Sequence, residues 1–510
     1  MSSKGFSESL KSFFEIHVAA DLQHVKFAGP KLLILNLRGI QPYVRESWAV
    51  AWPMILVMFF QFSIGIADVY VAGMLGSDIL AAMGYVGQLY WTLMILANAI
   101  SVGTVSMVSQ AYGANSRLGV GYVSANSLTM GLLVSGVMTV LATTYSSELI
   151  SAAGMPNEIR STAESFIKIF SLVLIPTYIM IISGGILRAS GRVKTAMINS
   201  CSAAILNVIC LFVLVFGFGP LPSMGYEGIA WSTALATTVG MILNLTSILT
   251  GPFRITRDSI GKPLGKCIKN LVRLGVPTAL QQTAWNAGTL VVYFLVTKLQ
   301  GSQVTALAAM AAGVRIEAII FLPIFALNMA AAVVTGNRLG GKNLQAARDG
   351  AKATAALCLS IILIPAAAIF IFAPELSGLL TNDPEVLQEM TRYLRINMLA
   401  EPFFAVGISL SGALQGAGDT FGTMRIIFTG MWLIRIPFIL FAIYVLETGP
   451  TGVWICMALS VVIMCGLLIH RFMGNKWIYM SMDKTKKTML WESCLPMEPT
   501  IPSVTYKPED

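Results

Sequence analysis

Long apolar stretches recur along this chain, and they constrain its fold more than any other feature. Hydrophobic residues make up 55% of the 510 residues and charged residues only 12%, with a mean hydropathy of +0.73. Soluble domains carry about 25% charged residues, so roughly half of the usual charge is missing. A stretch of ~20 apolar residues is long enough to cross a bilayer as a helix. The sequence therefore predicts an all-α polytopic membrane protein.

Twelve such stretches follow one another, an even number that places both chain ends on the same side of the membrane. We predict membrane helices near residues 47–72, 79–110, 119–145, 159–187, 195–217, 226–250, 270–297, 303–335, 345–373, 386–413, 423–446 and 451–472.

The connections between these stretches alternate between a basic and an acidic set. Arg188 and Arg192 belong to the basic set, whereas Asp78 and Glu447 belong to the acidic set. Because Lys and Arg concentrate in cytoplasmic loops, we expect the basic connections and both chain ends in the cytoplasm. The formal charge of +9 is then a sign of topology, and we expect no nucleic-acid partner.

The sequence also repeats itself. The segment Leu187-Arg-Ala-Ser-Gly191 matches Leu414-Gln-Gly-Ala-Gly418, and Gly113 matches Gly340, in each case at a separation of 227 residues. Ala81-Ala-Met83 matches Ala308-Ala-Met310 at the same separation. Each half holds six spans, so the halves are predicted to be parallel and related by an axis along the membrane normal.

This repeat divides the chain into five predicted regions. They are an N-terminal arm (1–46), an N-lobe (47–250), a linker (251–269), a C-lobe (270–473) and a C-terminal tail (474–510). The arm is expected to be either a surface helix through Leu10, Phe13 and Phe14 or disordered, and the tail beyond Trp477 to be flexible. The seven cysteines form no CxxC pair and no metal-ligand spacing, so they are interpreted as small apolar residues or cytoplasmic thiols.

Several motifs in this order resemble the multidrug and toxic compound extrusion (MATE) family. They are Ala67-Asp-Val-Tyr-Val-Ala-Gly73, Ser109-Gln-Ala-Tyr-Gly113, Leu414-Gln-Gly-Ala-Gly-Asp-Thr420 and Arg435-Ile-Pro437. Arg315-Ile-Glu317 with Phe321-Leu-Pro323 is more similar to the DinF-like branch than to the NorM-like one. The resemblance implies two six-helix bundles that open alternately to either side and export organic cations and drugs in exchange for inward H⁺ or Na⁺.

Asp68 is the strongest candidate for the coupling chemistry. A carboxylate ~20 residues into the first span costs a few kcal/mol, and intramembrane acids are functional by default. Gln61 lies seven residues earlier on the same helical face, with Met58 and Met54 one and two turns before it. Burial favours the protonated acid, whereas a nearby organic cation favours the carboxylate, so the two ligands compete. The alternative is that Asp68 caps a helix or pairs with a buried arginine.

The rest of the first half qualifies this hypothesis. The resemblance implies a second acid in the fifth span, but Asn207 stands there, and an amide cannot titrate. One charge per cycle is then expected, with H⁺ favoured over Na⁺, although Na⁺ at Asp68 stays an alternative. Tyr178 is predicted to stack on cationic aromatic substrates.

The second half offers further candidates. Asp419 matches an acid used by the NorM-like branch, but a helix-capping role is equally compatible with its position. Glu317 and Arg315 lie two residues apart and point to different faces, with Glu401 a possible partner for Arg315. Arg435 falls one residue from the repeat position of Asn207 and is predicted to lock the C-lobe.

No enzymatic motif accompanies these residues. There is no HExxH or GxSxG, and the stretch Gly336–Asn343 lacks the Ser or Thr and the preceding strand of a phosphate-binding loop. We therefore predict a monomeric exporter in a bacterial or archaeal cytoplasmic membrane. Its partners are small organic cations or drugs and membrane lipids, and it needs no cofactor besides H⁺ or Na⁺. The alternatives are a lipid-linked oligosaccharide flippase of the same superfamily and a non-transporting membrane receptor or scaffold.

Overall fold

The computed structural model describes residues 37–152, 157–218, 222–252, 265–299, 301–482 and 488–495. The N-terminal arm as far as residue 36, the middle of the predicted linker and the last residues of the tail lie outside the described residues. The expectations for the arm and for the end of the tail therefore stay predictions.

The first half of the chain folds into long helices joined by short connections. They are α1 (Leu37–Leu75), α2 (Ser77–Gly113), α3 (Arg117–Thr144), the short α4 (Ser146–Ala152), α5 (Asn157–Ala189), α6 (Val193–Phe216) and α7 (Glu227–Thr250).

The second half repeats this order. It contains α8 (Gly265–Val296), α9 (Gln303–Gly340), α10 (Leu344–Ile371), the short α11 (Ala373–Leu380), α12 (Pro384–Gly416), α13 (Thr420–Phe428), a π-helical segment (Thr429–Arg435), α14 (Ile436–Tyr444) and α15 (Gly449–Met473).

Eleven helical spans in the described part of the chain are long and apolar enough to cross a membrane, with α13, the π segment and α14 forming one of them. The remaining long helix, α8, is continuous but less apolar, because its apolar sequence is interrupted by the polar residues Gln281, Gln282 and Asn286. Helix α8 occupies in the second half the place that α1 has in the first, and it is the twelfth membrane helix. The predicted fold class, twelve membrane helices in two six-helix bundles, is confirmed.

The repeat is visible in the backbone itself. Asn115 and Lys342 both adopt left-handed conformations, with φ of 55° and 57°, and so do Gly191 and Gly418, with φ of 77° and 84°. Each pair is separated by the 227 residues found in the sequence. Left-handed backbone is uncommon outside glycine, so its recurrence at one offset shows that the two halves turn corners in the same way.

The lobes meet at the end of the molecule that carries the basic loops, which we call the basic end. There α2 and α9 cross in backbone contact. A Cβ added to Gly113 would lie 1.8 Å from the Asn337 carbonyl oxygen, and one added to Gly340 would lie 1.9 Å from the Gln110 carbonyl oxygen. The Gln110 side chain also donates to the Gly416 carbonyl oxygen over 2.9 Å. The two glycine contacts are related by the repeat, so the halves close on each other symmetrically.

Helix α1 is shared between the lobes. Its first half packs against the C-lobe, where Ser47 Oγ lies 2.7 Å from Thr354 Oγ1 and Glu46 forms an ion pair with Arg338. Its second half packs in the N-lobe, with Val71 in the apolar core formed with α2, α5 and α6. The helix that carries Asp68 therefore contacts both halves of the molecule.

Two expectations for the cysteines and the tail are wrong. Cys267 and Cys494 are joined by a disulfide. The described residues of the tail, which were expected to be flexible, pack against the basic end. Trp477, Leu490 and Trp491 are buried there. No spacing rule could reveal a pair separated by 227 residues, because the pairing depends on how the described part of the tail packs against α8.

Candidate functional site

Asp68 lies in the N-lobe, in the second half of α1. Its side chain is half-buried, and its Oδ1 atom is buried with no hydrogen-bond donor among the described residues. It forms no ion pair with a described base. Seven residues of helix follow it before α1 ends at Leu75, so it is not a cap. Among the described residues, Asp68 therefore neither caps a helix nor pairs with an arginine, and its Oδ1 atom can accept a hydrogen bond from a ligand.

Gln61 lies on the same helix as this acid. Seven residues span about two helical turns, or ~10 Å along the axis, so Gln61 and Asp68 share one face of α1. Gln61 is exposed, whereas Asp68 is half-buried. One face of α1 thus carries an exposed amide and, about two turns further on, a carboxyl group whose Oδ1 has no donor among the described residues.

Asn207 lies on α6, which packs against α1. It is buried, and its Nδ2 donates to Thr233 Oγ1 over 3.3 Å. Its Oδ1 finds no donor among the described residues. Asp68 and Asn207 therefore each have a buried oxygen that can accept from a protonated or cationic ligand, and of these two residues only Asp68 can change its charge.

Met54 and Met58 line a small cavity of about 10 Å³, room for about one water molecule, beside the contact between the lobes. Arg188 and Met329 also face it. The thioether side chains can adapt to different shapes. From the sequence, Arg188 was recognisable only as a topology signal, because its place in the cavity wall depends on how the two lobes pack, which has no local signature. Its guanidinium forms no ion pair with a described carboxylate.

Tyr178 was wrongly predicted as a substrate-stacking residue. It is fully buried within the N-lobe, where it packs with Met94 and Leu174. Its hydroxyl donates to the Leu93 carbonyl oxygen over 2.6 Å. In this conformation its ring faces the core of the bundle and is not accessible to a ligand.

The C-lobe contains a buried cluster of two acids and one base. Glu317 Oε2 accepts from the Tyr393 hydroxyl over 3.0 Å, and Glu401 interacts electrostatically with Glu317 and Arg435. One oxygen of each glutamate has no donor among the described residues. With both acids ionised the cluster carries one excess negative charge, so binding one proton would balance it.

Arg435 is held in place within this cluster. Its Nε donates to Ser460 Oγ over 2.8 Å, and its guanidinium lies 5.5 Å from the centre of the Trp285 ring. The predicted pairing of Arg315 with Glu401 is wrong, because Arg315 is exposed and no ion pair joins the two. Glu401 of α12 instead lies close enough to Glu317 of α9 and to Arg435 to interact with both electrostatically.

Asp419 has the structural role that the sequence left open. It is buried, caps α13 by accepting from the Gly422 N–H over 3.2 Å, and receives two hydrogen bonds from Arg471 at 2.8 and 3.0 Å. Both of its oxygens accept hydrogen bonds at the basic end of the C-lobe. It therefore has no free oxygen comparable to that of Asp68.

Comparison with known proteins agrees with this architecture. The probable multidrug resistance protein NorM of Thermotoga maritima is 26% identical over 439 residues, which cover 85% of this chain and 93% of that protein. The uncharacterized transporter YisQ of Bacillus subtilis is 24% identical over 442 residues, covering 85% and 95%. The multidrug resistance protein PmpM of Pseudomonas aeruginosa is 22% identical over 435 residues, covering 83% and 90%.

Solved structures share the fold. A MOP superfamily transporter from Pyrococcus furiosus superposes with a TM-score of 0.78 at 20% identity, covering 84% of this chain and 95% of that one. A multidrug resistance MATE family transporter in an outward-facing conformation gives a TM-score of 0.78 at 20% identity, with 84% and 96% covered. The DinF-like branch is not distinguished by these comparisons and stays a prediction.

The family profile identifies the two halves separately. The MatE profile matches residues 53–213 and again residues 277–441, so that each match lies within one six-helix bundle and the repeat is confirmed. The proteins that share this profile and fold are membrane transporters and not enzymes. Because the two matches together cover more than half of the sequence, this chain belongs to the MatE family.

Proposed function

We propose that this protein is a secondary active multidrug exporter that exchanges organic cations or drugs for inward H⁺ by alternating access. The observation that carries the proposal is the Asp68 carboxyl group, whose buried Oδ1 has no hydrogen-bond donor among the described residues. A cationic drug and a proton cannot both neutralise one carboxylate, so each displaces the other. The multidrug resistance proteins named above support the substrate class.

The contact between the lobes suits alternating access. The basic end, where Gly113 and Gly340 seal the crossing of α2 and α9, is the end that the distribution of Lys and Arg assigns to the cytoplasm. Sealed there, the molecule would present Gln61 and Asp68 to the outside. Exchange then requires that the seal opens once the outside ligand has replaced the drug.

One charge at Asp68 sets the energetic scale. Exchange of one inward H⁺ for one outward monovalent cation moves no net charge, so the pH difference alone drives it, and each pH unit (~1.4 kcal/mol) supports a roughly tenfold drug gradient. Only for a neutral drug would the membrane potential add ~2.3 kcal/mol per 100 mV. A proton needs only the one free oxygen, whereas Na⁺ usually requires several oxygen ligands at once. Since an amide, Asn207, stands where a second acid would help to bind Na⁺, we favour H⁺ as the coupling ion.

The first test is efflux by an Asp68→Asn variant in a host that lacks its own drug pumps. The substitution keeps the shape of the side chain but removes the titratable charge. The wild-type protein should lower ethidium accumulation, and the variant should lose most of this effect. Asp78→Asn is the matched control, because Asp78 is an exposed acid at the start of α2. Unchanged efflux by the Asp68 variant would remove this carboxyl group from the mechanism.

The coupling ion can be tested on purified protein. If a proton and the drug compete for Asp68, adding ethidium in weak buffer without Na⁺ should acidify the medium, and the Asn variant should release no protons. A null result in this medium, with drug binding that depends on Na⁺, would assign the role to sodium at Asp68.

A second candidate function is the transport of lipid-linked sugars, as in other members of the superfamily. It is favoured by Arg188, a guanidinium in the wall of the cavity between the lobes without an ion pair to a described carboxylate, because such a group can bind a phosphate. An Arg188→Met variant separates the two functions. It should leave cation efflux intact under the main proposal, whereas only the alternative predicts loss of binding to a polyprenyl-phosphate probe.

A further inference from the structure

The tail that follows α15 is fastened to the C-lobe at the basic end. Trp477 stacks on Phe472 with ring centroids 5.2 Å apart, and its indole N–H donates to the Phe472 carbonyl oxygen over 2.6 Å. Farther along the chain, the Leu490 N–H donates to the Ser481 carbonyl oxygen over 2.8 Å. These contacts return the chain to the membrane helices and position residues 488–495, which we call the strap.

The strap lies between the two lobes. Leu490, Trp491 and Cys494 are buried in one apolar cluster with residues of α2 and α3 from the N-lobe and of α8 from the C-lobe. The Trp491 ring packs so closely on Gly119 that an added Cβ would lie 2.6 Å from it. On the other side, Asn270 Nδ2 donates to the Leu490 carbonyl oxygen over 3.2 Å and to Ser493 Oγ over 2.8 Å. The strap therefore bridges the lobes where they touch.

The two attachments of the strap differ in kind. To α8 it is attached by the Cys267–Cys494 bond and by the Asn270 hydrogen bonds. To the N-lobe helices α2 and α3 it is held by apolar packing, including that of Trp491 on Gly119. When the basic end opens, the N-lobe and C-lobe helices must separate there, and the strap must release one of them. With the disulfide formed, the strap stays beside α8 and can rebind α3 at a high effective concentration.

We propose that Cys267 and Cys494 form a redox modification site, and that their oxidation uses the strap to hold the basic end closed. Forming the bond joins the two sulfur atoms and releases two protons and two electrons. Hydrogen peroxide can accept these and is reduced to two molecules of water, and a dithiol reverses the step. That the site lies in the cytoplasm, where thiols are normally kept reduced, rests on the orientation in the proposed function.

The primary test measures amide hydrogen exchange of the full-length protein in lipid nanodiscs. One sample is treated with hydrogen peroxide and the other with dithiothreitol, and peptide mapping verifies the Cys267–Cys494 bond in each. Reduction should accelerate exchange about tenfold or more in the strap and at the start of α8, because local opening governs exchange. If exchange there is unchanged once the bond is broken, the proposal is overturned.

Three variants sharpen this measurement. Cys494→Ser should exchange like the reduced wild type under both treatments. Cys210→Ser, which removes a half-buried free thiol of the N-lobe, should respond like the wild type. Trp491→Ala keeps both cysteines and removes the packing on Gly119, so its strap should exchange rapidly even when oxidised. Full protection in the oxidised Trp491 variant would show that the N-lobe contact does not hold the strap.

Transport provides a separate readout. In proteoliposomes, ethidium efflux by the wild type should be about threefold or more faster after reduction, since the closed state is no longer favoured, whereas Cys494→Ser should be fast throughout. Equal rates in the two redox states would overturn the regulatory claim. Absence of transport in both states would refute the proposed function, and the exchange experiment would still decide whether the site exists.

Discussion

Replacing Gly113 or Gly340 by alanine should open the basic end of the molecule. The added methyl group of Gly113→Ala would lie 1.8 Å from the Asn337 carbonyl oxygen, and that of Gly340→Ala 1.9 Å from the Gln110 carbonyl oxygen. Both obstacles are backbone atoms of the opposite lobe, so no rotation of a side chain can relieve the overlap. The helices must separate or the contact must break.

The size of the effect follows from this geometry. Overpacking of a well-packed contact costs typically 1–3 kcal/mol, and a rigid backbone obstacle belongs at the upper end. The cost is present only in the state that is closed at the basic end. A difference of about 3 kcal/mol changes the ratio of closed to open molecules roughly 100-fold. The variants should therefore favour the open state without a comparable loss of folding.

This shift toward the open state would be detected by pulsed electron paramagnetic resonance, which measures distances between spin labels on the basic ends of α3 and α10. Gly136→Ala is the matched control, because Gly136 lies within helix α3 and no atom of another described element lies within 4 Å of the added Cβ. The control should keep the wild-type distance distribution. If both seal variants also keep it and remain as stable as the wild type, the α2–α9 contact is not the closing surface, and the reasoning fails.

Two further predictions concern the tail and the C-lobe. Asp419→Ala removes the cap of α13 and leaves Arg471 without its partner, so thermal unfolding should show a loss of about 1–3 kcal/mol of stability, and unchanged stability would contradict the structural role. Burial raises the pKa of Glu492, with Lys342 acting in the opposite direction, so docking of the strap should be strongest at low pH and weaken as the pH rises through the raised value. Hydrogen exchange of residues 488–495 across this range should show the change in the wild type but not in Glu492→Gln, and a pH-independent wild type would exclude the effect.

The fold could be predicted from the sequence because a bilayer places simple requirements on the length and composition of membrane helices. Apolar length identified the helices, and the offset of 227 residues identified the repeat, which the backbone reproduces at Asn115 and Lys342. The ends of the helices were less well predicted. The span predicted at 303–335 continues to Gly340, because the helix extends beyond the apolar stretch to make the contact between the lobes.

The candidate site was only partly predictable. Asp68 stood out because a lone acid in an apolar helix is costly in any arrangement of the other helices. By contrast, the buried position of Tyr178 depends on its hydrogen bond to the Leu93 carbonyl oxygen of another helix. The position of Arg188 depends on a cavity formed between the lobes. The disulfide of the tail depended on tertiary folding in the same way. Residues whose role depends on distant partners leave no mark in local sequence.

The π-helical segment Thr429–Arg435 has a consequence for the electrical balance of the two halves. A π turn accommodates one additional residue compared with an α turn, which accounts for the one-residue mismatch between Arg435 and the repeat position of Asn207. Once this residue is allowed for, a permanent cation in one half stands where the other half has a neutral amide. The duplicated lobes are thus equivalent in shape but not in charge. The C-lobe acids have Arg435 beside them, whereas Asp68 forms no ion pair with a described base. Under the proposed function, its positive partner is a proton or a drug from solution.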